Sequence, residues 1–250
     1  MLERRVMEPE GQGIADFYAT PAGLIARRAI LTRLKTIWPG LFGYRLLGFG
    51  FAIPYLGAFG AERAIAAGPA AMGATRWPPA ASASLLCEED ALPFADALFD
   101  RVLLVHGLER AESLRPLLRQ LWRVLAPEGK LLVVAPNRAS LWAQIDATPF
   151  GQGRPFSRSE LDRILREAMF EPERWERALY APPVATRRLA STGAGWERIG
   201  SLLFPALGGV HVVEAKKSIY GMTPLPAEAA TAPATSVLNP DFSHSSSARR

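Results

Sequence analysis

The chain is poor in the residues that build cross-linked or metal-held folds. Cys87 is its one cysteine, and its histidines, His106, His211 and His244, lie far apart. A single thiol excludes an intramolecular disulfide framework, and no spacing here suits a zinc site. Cys87 reads as a small apolar residue at a strand end. A long unbroken apolar run is also missing. The longest uncharged stretch, residues 46–61, is interrupted by Gly48, Gly50, Pro54, Gly57 and Gly60. A membrane-spanning helix needs about 20 largely apolar residues. Residues 1–13 mix Glu3, Arg4, Arg5, Glu8 and Glu10 without an apolar core. No secretory signal is expected, and the chain should be soluble and cytoplasmic. The formal charge is +5, but the arginines recur at helical spacing beside apolar residues, as on solvated helix faces. No basic stripe interleaves with exposed aromatics, so neither nucleic acid nor membrane is expected as a partner.

Apolar material is ample. Hydrophobic residues make up 49% and charged residues 21%, the composition of a soluble domain with a sizeable core. Leu24, Leu31, Leu34 and Trp38 recur at helical intervals, with Arg27, Arg28, Arg33 and Lys35 between them. This predicts an amphipathic helix, ended by Pro39-Gly40, that makes residues 1–40 an N-terminal brace. Apolar runs follow at 44–47, 63–66, 83–87, 101–105 and 130–135. The last two are apolar almost throughout, as in parallel strands covered by helices on both faces. Between them, Leu114, Leu117, Leu118, Leu121, Trp122 and Leu125 share one helical side, and Pro127-Glu128-Gly129 makes the turn. Strand, helix, strand in that order gives a right-handed parallel crossover. Ser157 and Glu160 form a capping box ahead of Leu161, Ile164, Leu165 and Ala168. Closing strands are expected at 176–181 and 209–215, with a helix at 196–204. Residues 41–222 thus read as a doubly wound, mostly parallel α/β domain. Residues 223–250, rich in Pro, Ala, Thr and Ser, read as a disordered tail.

In an open α/β sheet a ligand sits at the carboxyl ends of the strands, beside the switch point. Arriving there are Gly48, Phe49 and Gly50 after the first strand and Glu88, Glu89 and Asp90 after the third. His106 to Glu109 follow the fourth, and Pro136 and Asn137 the fifth. A glycine pair lets the backbone turn tightly and approach a ligand, but glycines serve ordinary turns as well. His106 is a candidate general base, or else a core or turn residue. Residues 148–156, which include Phe150 and Arg154, are a candidate substrate lid with Arg154 meeting an anion, or else an ordinary connecting loop.

These landmarks carry a resemblance. Leu46-Leu47-Gly48-Phe49-Gly50-Phe51 resembles the first motif of class I S-adenosylmethionine-dependent methyltransferases. Glu88-Glu89-Asp90-Ala91-Leu92-Pro93-Phe94, leading through Phe99-Asp100 into the fourth strand, is similar to that family's acidic-then-Leu-Pro-Phe segment. Residues 121–133 resemble its helix, turn and fifth strand, and Phe156-Ser157-Arg158-Ser159-Glu160-Leu161 the segment after it. The likeness is to the type 11 methyltransferase domain. It implies a seven-stranded Rossmann-like sheet, S-adenosylmethionine lying over Gly48, Phe49 and Gly50, and a small-molecule acceptor. It also implies that Glu88, with Glu89 beside it, stands where an acid contacts adenine. Val105 and His106 would lie near the reacting methyl group.

Two positions depart from the family pattern. Ala52 replaces the third glycine of the first motif. Beyond residues 63–66 come Ala67-Gly68-Pro69-Ala70-Ala71-Met72, with no acid to bind both ribose hydroxyls. A charged, paired hydrogen bond contributes about 1.5–3 kcal/mol, so its absence weakens cofactor binding roughly ten- to a hundredfold. A competing expectation is therefore a degenerate member without catalysis, acting as an interaction or regulatory domain with a protein partner. A crevice filled by Phe49, Phe51 or Met72 favours that reading, and a cleft open beside Gly48 and Glu88 favours the enzyme. A nicotinamide dehydrogenase explains the glycine turn but neither the Leu-Pro-Phe segment nor the strand-five block.

Overall fold

The computed structural model describes residues 10–73, 76–78, 83–183 and 193–219, which belong to one compact unit. The tail expected at 223–250 lies outside the described residues. Two helices come first, α1 (Glu10–Ala19) and α2 (Pro21–Ile37). Then follow β1 (Arg45–Gly50), a one-turn α3 (Ile53–Leu56), β2 (Arg63–Gly68) and β3 (Ser84–Leu86). The second half holds β4 (Phe99–Val105), α4 (Leu114–Val124), β5 (Leu125–Pro136), α5 (Arg158–Glu167), β6 (Phe170–Ala178), α6 (Gly193–Leu203) and β7 (Val210–Lys217).

The seven strands form one sheet in the order β3-β2-β1-β4-β5-β7-β6. Every pair is parallel except those made by β7, which runs antiparallel between β5 and β6. The chain enters at β1 in the middle, steps outward to β3, and returns to place β4 on the other side of β1. The carboxyl ends of β1 and β4 therefore flank the switch point, where a crevice opens in this architecture.

Strand alternation sorts the core into two layers. Leu46 of β1, Leu103 and Val105 of β4, and Leu132 and Val134 of β5 face Ile14, Phe17, Ile30 and Leu34 of α1 and α2. Leu47 and Phe49, Val102 and Leu104, and Leu131 and Val133 face Leu117, Leu121, Leu161 and Leu165 of α4 and α5. Each such side chain, once fully buried, contributes roughly 1.5–3 kcal/mol. The expected N-terminal helix is α2. Thr20 caps it by accepting the Gly23 N–H at 3.1 Å, with Pro21 in the first turn. At its far end the Trp38 indole donates to Glu214 Oε1 of β7 at 2.7 Å. The capping box opens α5 as read, with Ser157 Oγ accepting the Glu160 N–H at 3.2 Å.

Two elements differ from the sequence reading. The sixth strand covers Phe170–Ala178 rather than 176–181. Met169, at φ +61°, turns the chain sharply off α5, and the strand starts at once. Its run of Glu171, Glu173, Arg174 and Glu176 suits the sheet edge it occupies, because an edge strand tolerates charge. The periodicity analysis also leaves out α1, although this helix supplies part of the site described next.

Candidate functional site at the ends of β1 and β4

Gly48 and Gly50, expected after the first strand, fall within β1, whose last residue is locked against β4. Gly50 adopts φ +75°, and a Cβ there would lie 2.3 Å from the Val105 carbonyl oxygen and 2.9 Å from the Gly107 nitrogen. The next residue, Phe51, donates its N–H to that same carbonyl at 2.7 Å. A Cβ on Gly48 would meet Leu56 at 2.7 Å and Ala52 at 2.9 Å, so this glycine lets α3 lie flat on β1. At the end of β2, Gly68 approaches the Gly50 carbonyl, which would be 3.3 Å from a Cβ. Three backbones thus converge around a small hollow of about 40 Å³, walled by Gly50, Phe51, Ala67, Gly68, Met72 and Leu85. Its β2 wall carries no carboxylate, in agreement with the sequence.

Beside the hollow runs a buried polar chain. His106, at φ +52°, follows β4 directly and is 1% exposed. Its Nδ1 lies 2.9 Å from Glu109 Oε1 and its Nε2 lies 2.9 Å from the Tyr18 hydroxyl of α1. The Tyr18 hydroxyl lies 2.9 Å from that of Tyr55 in α3. With Glu109 ionised, Nδ1–H donates to the carboxylate, leaving Nε2 to accept from Tyr18, whose oxygen accepts from Tyr55. Burial pushes the Tyr18 phenol well up, and the neighbouring Tyr55 raises it further. Burial also raises Tyr55, against the pull of its hydrogen bond to Tyr18. Both therefore stay protonated as donors. Glu109 Oε2 is buried and has no hydrogen-bond partner.

Gly50 pairs with Val105 across β1 and β4, and His106 follows directly, whereas Gly48 pairs with Leu103 and faces Leu56 and Ala52. Phe49 is placed differently. Its side chain is fully buried on the α4 face with Leu47, because residues two apart on a strand share a side, so only its backbone borders the crevice. Glu88 is exposed at the rim beyond β3. The half-buried Glu89 accepts the Glu112 N–H at 3.1 Å, tying this rim to the segment before α4. Burial raises the Glu89 carboxyl pKa, and the acids around it add to the effect. Burial likewise pushes the Cys87 thiol up to about 11, helped by Glu88 and Glu89, so it is a neutral thiol rather than a nucleophile.

The lid expectation needs correction. Phe150 is 1% exposed and packs edge-on against Phe17 and Trp142, with the His106 ring 5.0 Å away. Arg154 is exposed and pairs with Glu160 rather than reaching the crevice. The loop is tied down by hydrogen bonds from Gly151 N to Thr148 O, from Gln152 Nε2 to Asp146 O and from Arg154 N to Glu109 O. Sequence reasoning missed Tyr18 and Tyr55. The signal for Tyr18 was an aromatic doublet, Phe17-Tyr18, directly before the Thr20-Pro21 helix start. Tyr18 stacks on Phe51 at 5.8 Å and 8°. The crevice side of the glycine turn is thus occupied by Phe51, Met72 and Tyr18.

Sheet order and site together define a Rossmann-like α/β fold with a glycine-lined crevice at its switch point. Residues 48–133 match the family described as a methyltransferase domain. The match covers that segment alone, and the seven-stranded sheet around it is the fold of solved S-adenosylmethionine-dependent methyltransferases. Among solved structures it is similar to an S-adenosylmethionine-dependent methyltransferase of Thermotoga maritima described as a possible histamine N-methyltransferase. The identity is 18%, coverage is 82% of this chain and 94% of that one, and the TM-score is 0.56. A methyltransferase of Haloferax volcanii, in complex with the Trm112 methyltransferase activator, matches at 14% identity, 83% and 98% coverage, and TM-score 0.58. Geranyl diphosphate C-methyltransferase of Streptomyces coelicolor A3(2), in complex with Mg2+, geranyl diphosphate and S-adenosyl-L-homocysteine, matches at 16% identity, 75% and 76% coverage, and TM-score 0.51. At these identities the likeness is one of fold. No curated protein matches by sequence. Among the described residues, no helix is long and apolar enough to cross a membrane, and no cluster of His, Cys, Asp or Glu is placed to hold a metal ion.

Proposed function

We propose that the chain is an S-adenosylmethionine-dependent methyltransferase acting on a small-molecule acceptor in the cytoplasm, where this cofactor is made. The observation that carries the reading is the close backbone approach of Gly50 to Val105 and of Gly68 to Gly50. It leaves backbone rather than side chains at the switch point, within the segment that matches the family. The hollow is too small for an adenosine as it stands, so the cofactor would enter this backbone cradle with Phe51, Tyr18 or Met72 displaced. Its adenosine end would lie along the hollow between Gly50, Gly68 and Leu85, with Glu88 and Glu89 at the rim to meet adenine. Without a β2 acid, no charged pair would hold the ribose hydroxyls from β2, so affinity falls below that of a chain carrying one.

When bound, the cofactor supplies a methyl group on a sulfonium, already an excellent leaving group. The protein's task is to align the acceptor. In this reading, Val105 and His106 border the reacting end. Glu109 holds the His106 ring and fixes its tautomer, leaving Nε2 to take a proton from an acceptor N–H or O–H once the Tyr18 hydroxyl gives way. Residues 1–40 form a brace that completes the site, and residues 41–222 form the catalytic domain.

One observation favours a second reading. The Tyr18–Phe51 stack and the buried Met72 occupy space that an open cleft would leave free. A non-catalytic interaction domain would keep them there. Calorimetric titration with S-adenosylmethionine and S-adenosylhomocysteine separates the two, with Gly50→Arg as the control. Micromolar binding that the control lacks supports the enzyme. No binding at millimolar ligand, with both proteins folded, leaves the interaction domain standing.

A further inference from the structure

Bordered by Tyr18 and Phe51, an open groove of about 650 Å³ lies among α1, α2, α3 and Trp77. Ala15, Ala19, Gly57 and Ala58 give it small walls, while Phe51 and Trp77 offer aromatic surface. Phe51 and Ile53 belong both to this groove and to the hollow beside Gly50. The two spaces therefore meet at one side chain pair.

One lining residue is charged. Arg27 of α2 donates its Nε–H to the Pro54 carbonyl at 3.1 Å. This bond holds the guanidinium at the groove wall, and its terminal amino groups have no partner among the described residues. Among the described residues, no acidic side chain lines the groove. The positive charge is felt by the site, since it pulls down the pKa of both Tyr18 and Tyr55 against their burial. A guanidinium anchored through Nε with free terminal N–H groups suits a planar carboxylate. Aromatic faces with small walls suit a flat apolar body.

We propose that this groove is the acceptor site and that the acceptor is an aromatic or otherwise flat apolar molecule carrying a carboxylate that docks on Arg27. The assignment rests on the methyltransferase reading for the word acceptor, but the binding itself does not. The carboxylate end lies at α2, which directs the other end of the molecule toward Tyr18 and His106. Tyr18 then separates the two halves of the site.

The test uses the full chain without cofactor and compares 2-naphthoate with its neutral amide, 2-naphthamide, by calorimetry. Naphthoate is expected to bind more tightly than the amide. Arg27→Gln should weaken naphthoate roughly tenfold, the loss of one charged hydrogen-bonded contact, and leave the amide unchanged. Arg28→Gln, an exposed neighbour on the same helix, should change neither. Ala58→Trp, which fills the groove, should abolish both, with circular dichroism checking the fold. Equal affinity for the two probes, equal effects of Arg27→Gln and Arg28→Gln, or no binding of naphthoate overturns the assignment. Because no cofactor is present, that failure is separate from a failed S-adenosylmethionine titration.

Discussion

At Gly50 two requirements coincide: a left-handed backbone and a contact distance to Val105 that no side chain survives. A Gly50→Ala substitution is expected to cost at least about 1–3 kcal/mol from backbone strain alone. Part of the clash can be relieved only by moving β1 from β4. A lowered urea midpoint with an unchanged slope would show this, while a midpoint equal to the parent's would refute it. His211 offers a second test. Burial, with help from Arg177 and Arg158, lowers its pKa to about 4 from an ordinary 6.5. The folded chain therefore keeps it neutral while the unfolded chain takes a proton below pH 6.5. The resulting stability is complete above about 6.5 and is lost as pH falls toward 4, by about 3 kcal/mol at most. Replacing it (His211→Gln) should flatten the stability profile across that window and not above it, as read by denaturant midpoints at several pH values. Gly48, Gly50 and His106 were legible because glycines after an apolar run and a polar residue ending a buried one are local signals. Tyr18 was not, because its partners, Tyr55 and His106, lie 37 and 88 positions away.

Elements were legible in proportion to how far their pattern depended on their own burial. Strands β4 and β5 are covered on both faces, so unbroken apolar runs announced them. Helices α4 and α5 each bury one stripe and showed it at helical spacing. Strand β6 lies at the edge with mixed charges, and its register follows from pairing with β7 rather than from alternation of its own. The brace helix α2 was visible, but not what it holds. Its terminal Trp38 reaches across to Glu214 on β7, whose other oxygen lies 3.4 Å from Lys130 Nζ. Trp38→Phe keeps the ring against Phe59 and removes the N–H, so it should cost about 1–2 kcal/mol. A similar loss in a chain already carrying Glu214→Ala, which removes the acceptor, would mean that the carboxylate is not the partner that matters. A smaller loss there supports the pairing, as in any double-mutant cycle.

For the whole molecule, a seven-stranded, mostly parallel sheet could be anticipated from three ordered motifs. How full the crevice is could not, because that depends on α1 folding back over the strand ends. Ligand linkage gives a test that does not require knowing the acceptor. S-adenosylhomocysteine at about one hundred times its Kd should add about 2.7 kcal/mol of stability. For a chain of this size that is roughly 5–10 °C in melting temperature. A flat melting temperature up to millimolar ligand would sink the cofactor reading. A shift in the parent that Gly50→Arg lacks would support it.

The contact between Tyr18 and His106 also bears on how the chain assembles during synthesis. Helix α1 leaves the ribosome early, yet its histidine partner is made 88 residues later, a wait of roughly 5–15 s at ordinary elongation rates. During that interval Phe51 and Tyr55 are made and can meet Tyr18, but the Phe150 partner of Phe17 arrives later still. The site is thus completed across a long stretch of sequence, an earlier-made helix meeting a later-made strand end. Nascent chains halted before β4 should leave α1 open to protease, while chains released after β5 should protect it.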